Sequence, residues 1–245
     1  MHEREHDSRI GGACMRCHVE TRPALYKCFM CFQLPPLCEQ CVKDAHKHAP
    51  FHDIQVWRNN CFSRITLASI GFVVNLGHDG DPCPHGAAKS TSKYTVLHEG
   101  GIHEVQALRC FCPVREEKGR DAMTLWRSDL FPATFLRPQT AMTSGVLRGF
   151  HLLTLTTKVT ASGFCTYLRR RTSYWSKDDS KDRAREFFMA FRMFCFLLQL
   201  KRHAQSPPSL DGELRAGSLA IFCAACPQPG INMTPGWESR PREKQ

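Results

Sequence analysis

The chain has 245 residues, 42% of them hydrophobic, 14 cysteines and a formal net charge of +10. Its length suits one large domain or two to three small ones. The charged start, Met1 to Asp7, lacks the apolar core of a secretory signal, and the apolar stretches are too short and interrupted to span a bilayer. A soluble, intracellular chain with no membrane partner is expected, in which clustered cysteines mean metal rather than disulfides.

The charge is unevenly placed. Residues 1–57 carry seven basic and seven acidic side chains, residues 58–113 five and four, and residues 114–245 carry 21 and 12. An acidic polymer would therefore meet its electrostatic partner in the later region. A solvated basic surface is the plainer alternative.

Residues 1–13, charged and ending in Gly11-Gly12, are expected to be disordered. Three CxxC pairs follow: Cys14/Cys17, Cys28/Cys31 and Cys38/Cys41, with His46, His48 and His52 behind them. A CxxC turn sets two thiolates on one side of a knuckle, so each pair is half of a tetrahedral zinc site. Alternating use of the halves gives two sites: Cys14, Cys17, Cys38 and Cys41 for one, and Cys28, Cys31, His46 and His52 for the other. This cross-brace over 14–57 resembles ZZ-type and B-box zinc modules. Ile54, Val56 and Trp57 form its closing segment, with Trp57 read as a core plug.

The region 58–115 is expected to be rich in strands. Residues 72–76 are one. Tyr94–His98 and Ile102–Arg109 alternate and are joined through Glu99-Gly100-Gly101 as a hairpin. Between residue 76 and the hairpin lie a turn-rich loop holding His78 and Cys83, and a flexible stretch over 86–92. From about residue 120 to 205 the pattern becomes helical. Thr140 is the expected N-cap of a helix whose apolar face holds Val146, Leu147, Phe150 and Leu153. Phe164, Tyr167 and Leu168 continue it to Arg169-Arg170-Arg171. The stretch 186–200 is apolar almost all round, so it is buried or waits for a protein partner. Lys201 and Arg202 suit its C-terminus. Residues 206–237 hold a strand at 218–222 and a knuckle, Cys223/Cys226, and 238–245 is a polar tail.

Cys110/Cys112 and Cys223/Cys226 are two half-sites. Together they supply four thiolates for a third zinc; the competing arrangement completes Cys110 and Cys112 from His78, Cys83 or His103. Cys61, Cys165 and Cys195 stand singly among apolar neighbours and are expected in the core. The expected class is α+β: a small zinc cross-brace, a short β-hairpin region and a helical segment closed by a CxxC knuckle, holding two zinc ions or three.

The order of short motifs carries a resemblance. After the cross-brace come Leu76-Gly77-His78, Cys83-Pro84, Gly101-Ile102-His103-Glu104-Val105, the CxC at 110–112, Phe131-Pro132-Ala133-Thr134, Pro138-Gln139-Thr140, Lys201-Arg202, a Cys223 to Asn232 segment and Trp237. Over about residues 14–237 this looks like the N-terminal cysteine-cluster region of KDZ transposases. Ala224 stands where that family commonly has proline, and Gly217-Ser218 lies in a segment usually more compact. The resemblance implies DNA transposition in the nucleus by a ribonuclease-H-like core that would begin beyond Trp237. No acidic residue here matches that core's catalytic acids, so a non-enzymatic chain is expected, either a fragment or a separate product. Weak DNA binding through Lys158, Arg169, Arg170, Arg171, Lys201 and Arg202 is the leading expectation. A protein-interaction module, through the cross-brace or the helix at 186–200, is the second, and a nuclease remnant a third.

Overall fold

A computed structural model describes residues 7–85, 91–110, 112, 120–174, 182–202, 225–233 and 235–239. The chain divides into two compact units, Met1–Arg192 and Met193–Gln245. Both helices and sheets are present, and the class is α+β.

The first sheet belongs to the cross-brace. Strand β1 (Tyr26–Cys28) pairs with β2 (Ile54–Arg58), and β2 with β3 (Cys61–Ile65), all antiparallel. Asn59 and Asn60, both left-handed at φ 50° and 61°, make the two-residue turn that matches strand twist. Alternation sorts the faces: Ile54 and Val56 are fully buried, with Cys28, against the cysteine-rich core. Trp57, in register with Phe62, lies on the opposite, outer face and is half-buried rather than a core plug. Cys61 is exposed at the turn, not in the core. Helix α1 (Glu39–Ala45) closes the module. Residues 7–13 are held rather than disordered: Asp7 bonds Arg9 and Lys27, and Ala13 bridges to Pro23. The Arg9 guanidinium holds the Asp7 carboxyl well below the usual range against its burial.

The second sheet has the order β4-β6-β5-β8-β7. Strand β4 (Val73–Asn75) runs parallel to β6 (Gly101–Leu108), which pairs antiparallel with β5 (Ser92–His98) through the expected hairpin. Strand β8 (Thr140–Thr143) lies parallel to β5, and β7 (Leu130–Pro132) edges the sheet. The reading of residues 120 to 205 as helical throughout is therefore corrected. Helix α2 (Arg120–Arg127) is followed by two sheet strands, because the short runs at 130–132 and 140–143 are fully buried and gain hydrogen-bond partners only in the tertiary sheet. Thr140 begins β8. The N-cap of α3 (Ser144–Thr156) is Thr143, whose Oγ1 accepts from the Val146 N–H. Thr160 caps a separate helix, α4 (Ala161–Thr172).

Leu76, Tyr94, Val96, Val105, Ala107, Leu125, Leu130 and Ala141 form the core on the α2 face. Helix α3 packs on β5 and β8, and α4 on β6. Phe150, Phe164, Phe187 and Phe191 knit α3 and α4 to the first turns of α5 (Ala184–Arg202), with ring centroids 4.7–5.4 Å apart where Phe150 meets the others and Phe164 meets Phe187. Leu153 and Tyr167 are exposed, whereas Cys165 is buried. Residues 86–90 of the expected flexible loop and the strand expected at 218–222 lie outside the described residues, whereas Ser92, at the end of that loop, already belongs to β5. No helix among the described residues is long and apolar enough to cross a membrane.

Candidate metal centres

Three groups of donor atoms converge, each within 4.8 Å. The first joins Cys14, Cys17, Cys38 and Cys41. Backbone bonds between Gly11, Gly12 and Ala24 pin the first knuckle, and Cys38 stands at the N-cap of α1 with Cys41 in its first turn. The Cys17 and Cys38 sulfurs lie 3.9 Å apart; a tetrahedral zinc with Zn–S bonds near 2.3 Å sets its sulfurs about 3.8 Å apart. The Cys38 N–H donates to the Cys14 sulfur at 3.3 Å. Burial opposes ionisation of Cys14, but N–H groups of Cys38, Cys17 and Arg16 outweigh it and bring the thiol to about 6. Burial pushes Cys38 and Cys41 upward. Thiolate ligation of a cation releases the thiol protons.

The second group is Cys28, Cys31, His46 and His52. The Cys31 sulfur lies 3.5 Å from His46 Nε2 and 3.3 Å from His52 Nδ1, and Cys28 lies 3.7 Å from His52 Nδ1. Mixed zinc edges of this kind are about 3.5 Å. His46 is fully buried, and its Nδ1 donates to the Val42 carbonyl at 2.8 Å. That bond fixes the tautomer and leaves Nε2 as the ligand.

The third group is His78, Cys83, Cys110 and Cys112. His78 Nε2 stands 3.1 Å from Cys110 and 3.3 Å from Cys112; Cys83 stands 3.9 Å and 3.8 Å from the same sulfurs. Parallel pairing of β4 and β6 produces it. Both strands end at one edge of the sheet, the Leu76 N–H bonds the Leu108 carbonyl, and the segments leaving them meet. A run of left-handed residues, Gly77, His78, Asp79 and Gly80, folds the loop back, and Asn75 Nδ2 donates to the Gly80 carbonyl at 3.0 Å. This group is more exposed than the other two.

Among the described residues, the donors that converge on Cys110 and Cys112 are His78 and Cys83. Cys223 lies outside the described residues, and Cys226 is exposed, its carbonyl accepting from Asn232. His103 stays out of the site: it is 8% exposed, its Nε2 has no hydrogen-bond partner, and Phe51 and His98 pack against it. Burial brings it down to about 4.

All three donor sets are Cys/His sets of four, the chemistry of structural zinc. A cleft of about 1150 Å³ lies beside the second and third sets, lined by Lys47, His52, His78, Glu99, Asp129 and Arg148 among others. Of its carboxylates, Glu99 accepts from Thr143 and contacts His98 and Asp129 bonds Ser144, while nearby Asp81 pairs with Lys47. The basic residues are dispersed. Lys158 is exposed between α3 and α4. Arg169, Arg170 and Arg171 form the last turn of α4, where Arg169 reaches Thr166 and Arg170 the Tyr174 carbonyl. Lys201 and Arg202 end α5, exposed and in the second unit.

The family model of the CxC2-like cysteine cluster associated with KDZ transposases matches residues 67–175. No curated protein and no solved structure matches the chain. The matched segment contains the whole third donor set and the Arg169–Arg171 run, while the cross-brace precedes it.

Proposed function

We propose that this chain, whose residues 67–175 are a CxC2-like cysteine cluster of the kind associated with KDZ transposases, is a zinc-organised nuclear module that binds DNA weakly and serves transposition-complex assembly without cutting DNA. The observation carrying this reading is the basic end of α4. Three consecutive arginines occupy its last turn inside the matched segment, and Arg64 Nη1 donates to the Arg171 carbonyl at 2.8 Å, which fixes that turn against β3. Arginines on a fixed helix end suit phosphate contacts, which position a duplex without specifying sequence. The absence of cutting rests on the donor chemistry. Four-ligand Cys/His zinc leaves no open position, and hydrolysis of phosphodiesters by metal ions needs carboxylates to hold them.

A duplex titration by fluorescence anisotropy at several salt concentrations tests the reading. Changing Arg169, Arg170 and Arg171 together to Ala weakens binding to all sequences alike and flattens the log–log salt slope by up to about 2.7, since each neutralised phosphate contributes roughly 0.9. Equal affinity and slope in wild type and variant remove the run from the binding surface. Duplex incubated with Mg²⁺ or Mn²⁺ stays intact; cleavage abolished by a single carboxylate substitution overturns the non-enzymatic reading. A second reading, a protein partner on α5, is favoured by Phe188 and Met189, 47% and 56% exposed on one side of that helix. Binding there resists salt.

A further inference from the structure

The outer face of the first sheet has a specific composition. Trp57 and Phe62 face each other across β2 and β3, with centroids 5.0 Å apart, and Phe29 adds a third ring 5.4 Å from Phe62. Both contacts are edge-to-face, and each covers at most one ring face. All three rings are half-buried. Lys27 and Arg64 lie on the same face, in register through Gln55, and Lys27 Nζ stands 5.5 Å over the Phe29 ring. Arg64 bridges to Asp53 and to the carbonyls of Arg171 and Thr172. Arg64 thus ties this face to the backbone at the end of the Arg169–Arg171 turn.

Aromatic rings beside charged pairs suit unpaired bases better than a dry protein interface, because a protein would have to desolvate the Lys27–Asp7 and Arg64–Asp53 pairs. Bases stack on rings while cations track the backbone, and every base offers a π-face. In a duplex those faces are already stacked against neighbours. Resting on the DNA-binding reading above and naming its substrate class, we propose that Phe29, Trp57 and Phe62, with the arginines at the end of α4, bind single-stranded nucleic acid by base stacking.

The zinc-loaded full chain is titrated with labelled oligo(dT) of about 15 nucleotides and, separately, with a duplex of the same length. Trp57→Ala and Phe62→Ala each weaken oligo(dT) binding about five- to 150-fold, the range for loss of one stacked base, and leave duplex affinity unchanged. Trp57→Phe retains most of the oligo(dT) affinity, and native mass spectrometry shows wild-type zinc content in each variant. Ultraviolet crosslinking of oligo(dT) to the wild-type protein, mapped by peptide mass, needs no variant and places the crosslinks in residues 25–32 and 54–65. Crosslinks only elsewhere, or oligo(dT) affinity unaltered by Trp57→Ala, overturn the proposal. So does a concentration-dependent dimer that Trp57→Ala dissociates, which would give the face to a second copy. If duplex binding depends on the arginine run while oligo(dT) does not bind, stacking fails and the DNA reading stands. If Trp57→Ala weakens oligo(dT) and the arginine variant alters neither ligand, stacking stands and the arginine reading fails.

Discussion

Gly101 opens β6 at φ 139°, and a Cβ there would stand 2.6 Å from Thr172 Oγ1 and 3.1 Å from its backbone nitrogen. The same hydroxyl accepts from the Ile102 N–H at 2.6 Å, so hairpin and α4 meet where only glycine fits. Gly101→Ala is expected to destabilise the chain by about 1–3 kcal/mol through strained backbone and steric contact, read as a lower urea midpoint with unchanged slope. His103 makes a second residue-scale prediction. Burial holds it at about 4 in the folded chain, against roughly 6.5 unfolded. Above pH 6.5 both states are neutral and stability is full. As pH falls from about 6.5 to 4 the unfolded chain takes a proton that the folded chain refuses, and up to about 3 kcal/mol is lost. His103→Phe replaces the ring and removes the unpaired Nε2, so its acid-induced loss between pH 7 and 4 is smaller than the wild type's. Identical pH profiles for the two proteins would show that His103 is not the buried neutral group.

At the scale of elements, the parallel ends of β4 and β6 carry the third donor set. Cys83→Ser and Cys110→Ser each lower the zinc count by one in native mass spectrometry, and the double variant lowers it by no more. Cys223→Ser leaves the count unchanged. A loss on Cys223→Ser would restore the four-thiolate alternative. The cross-brace behaves differently, because its core is built from the ligands themselves: Cys14, Cys28, Cys38 and Cys41 are buried beside Leu37, Val42 and Ile54. Chelator added to the full chain should raise amide exchange throughout β1, α1 and β2, since structural zinc contributes on the order of 10 kcal/mol to such modules. Protection unchanged by chelator would mean that the apolar contacts suffice.

For the whole molecule, Lys47 and Asp81 link the cross-brace to the loop of the third donor set at 2.6 Å, and Arg64 links β3 to the end of α4. Both lie within the unit Met1–Arg192. The exposed Lys47–Asp81 pair contributes little by itself. Arg64 does more, because its guanidinium satisfies helix-end carbonyls that would otherwise lack partners. Arg64→Ala should therefore lower the thermal midpoint more than Lys47→Ala, by about 2–4 °C for a domain of this size. Equal midpoints would remove Arg64 as the link between the two halves of the unit.

By itself, the sequence determined several features governed by local spacing. Three CxxC pairs and two histidines specified the interleaving, since each knuckle constrains its own two ligands. Alternation and the Glu99-Gly100 turn specified the β5–β6 hairpin, and the 3.6-residue period placed Val146, Leu147 and Phe150 on one buried face. The tertiary structure alone decided what depends on strands distant in the chain. The parallel pairing of β4 with β6 leaves no local signal, yet it brings His78 and Cys83 to Cys110 and Cys112. Strands β7 and β8 are too short for their period to declare them, and they exist because the sheet supplies their hydrogen bonds. Trp57 followed the alternation of β2 to the outer face, where its position beside Phe62 and near the end of α4 required the register of β3 and the bond from Arg64 to be formed.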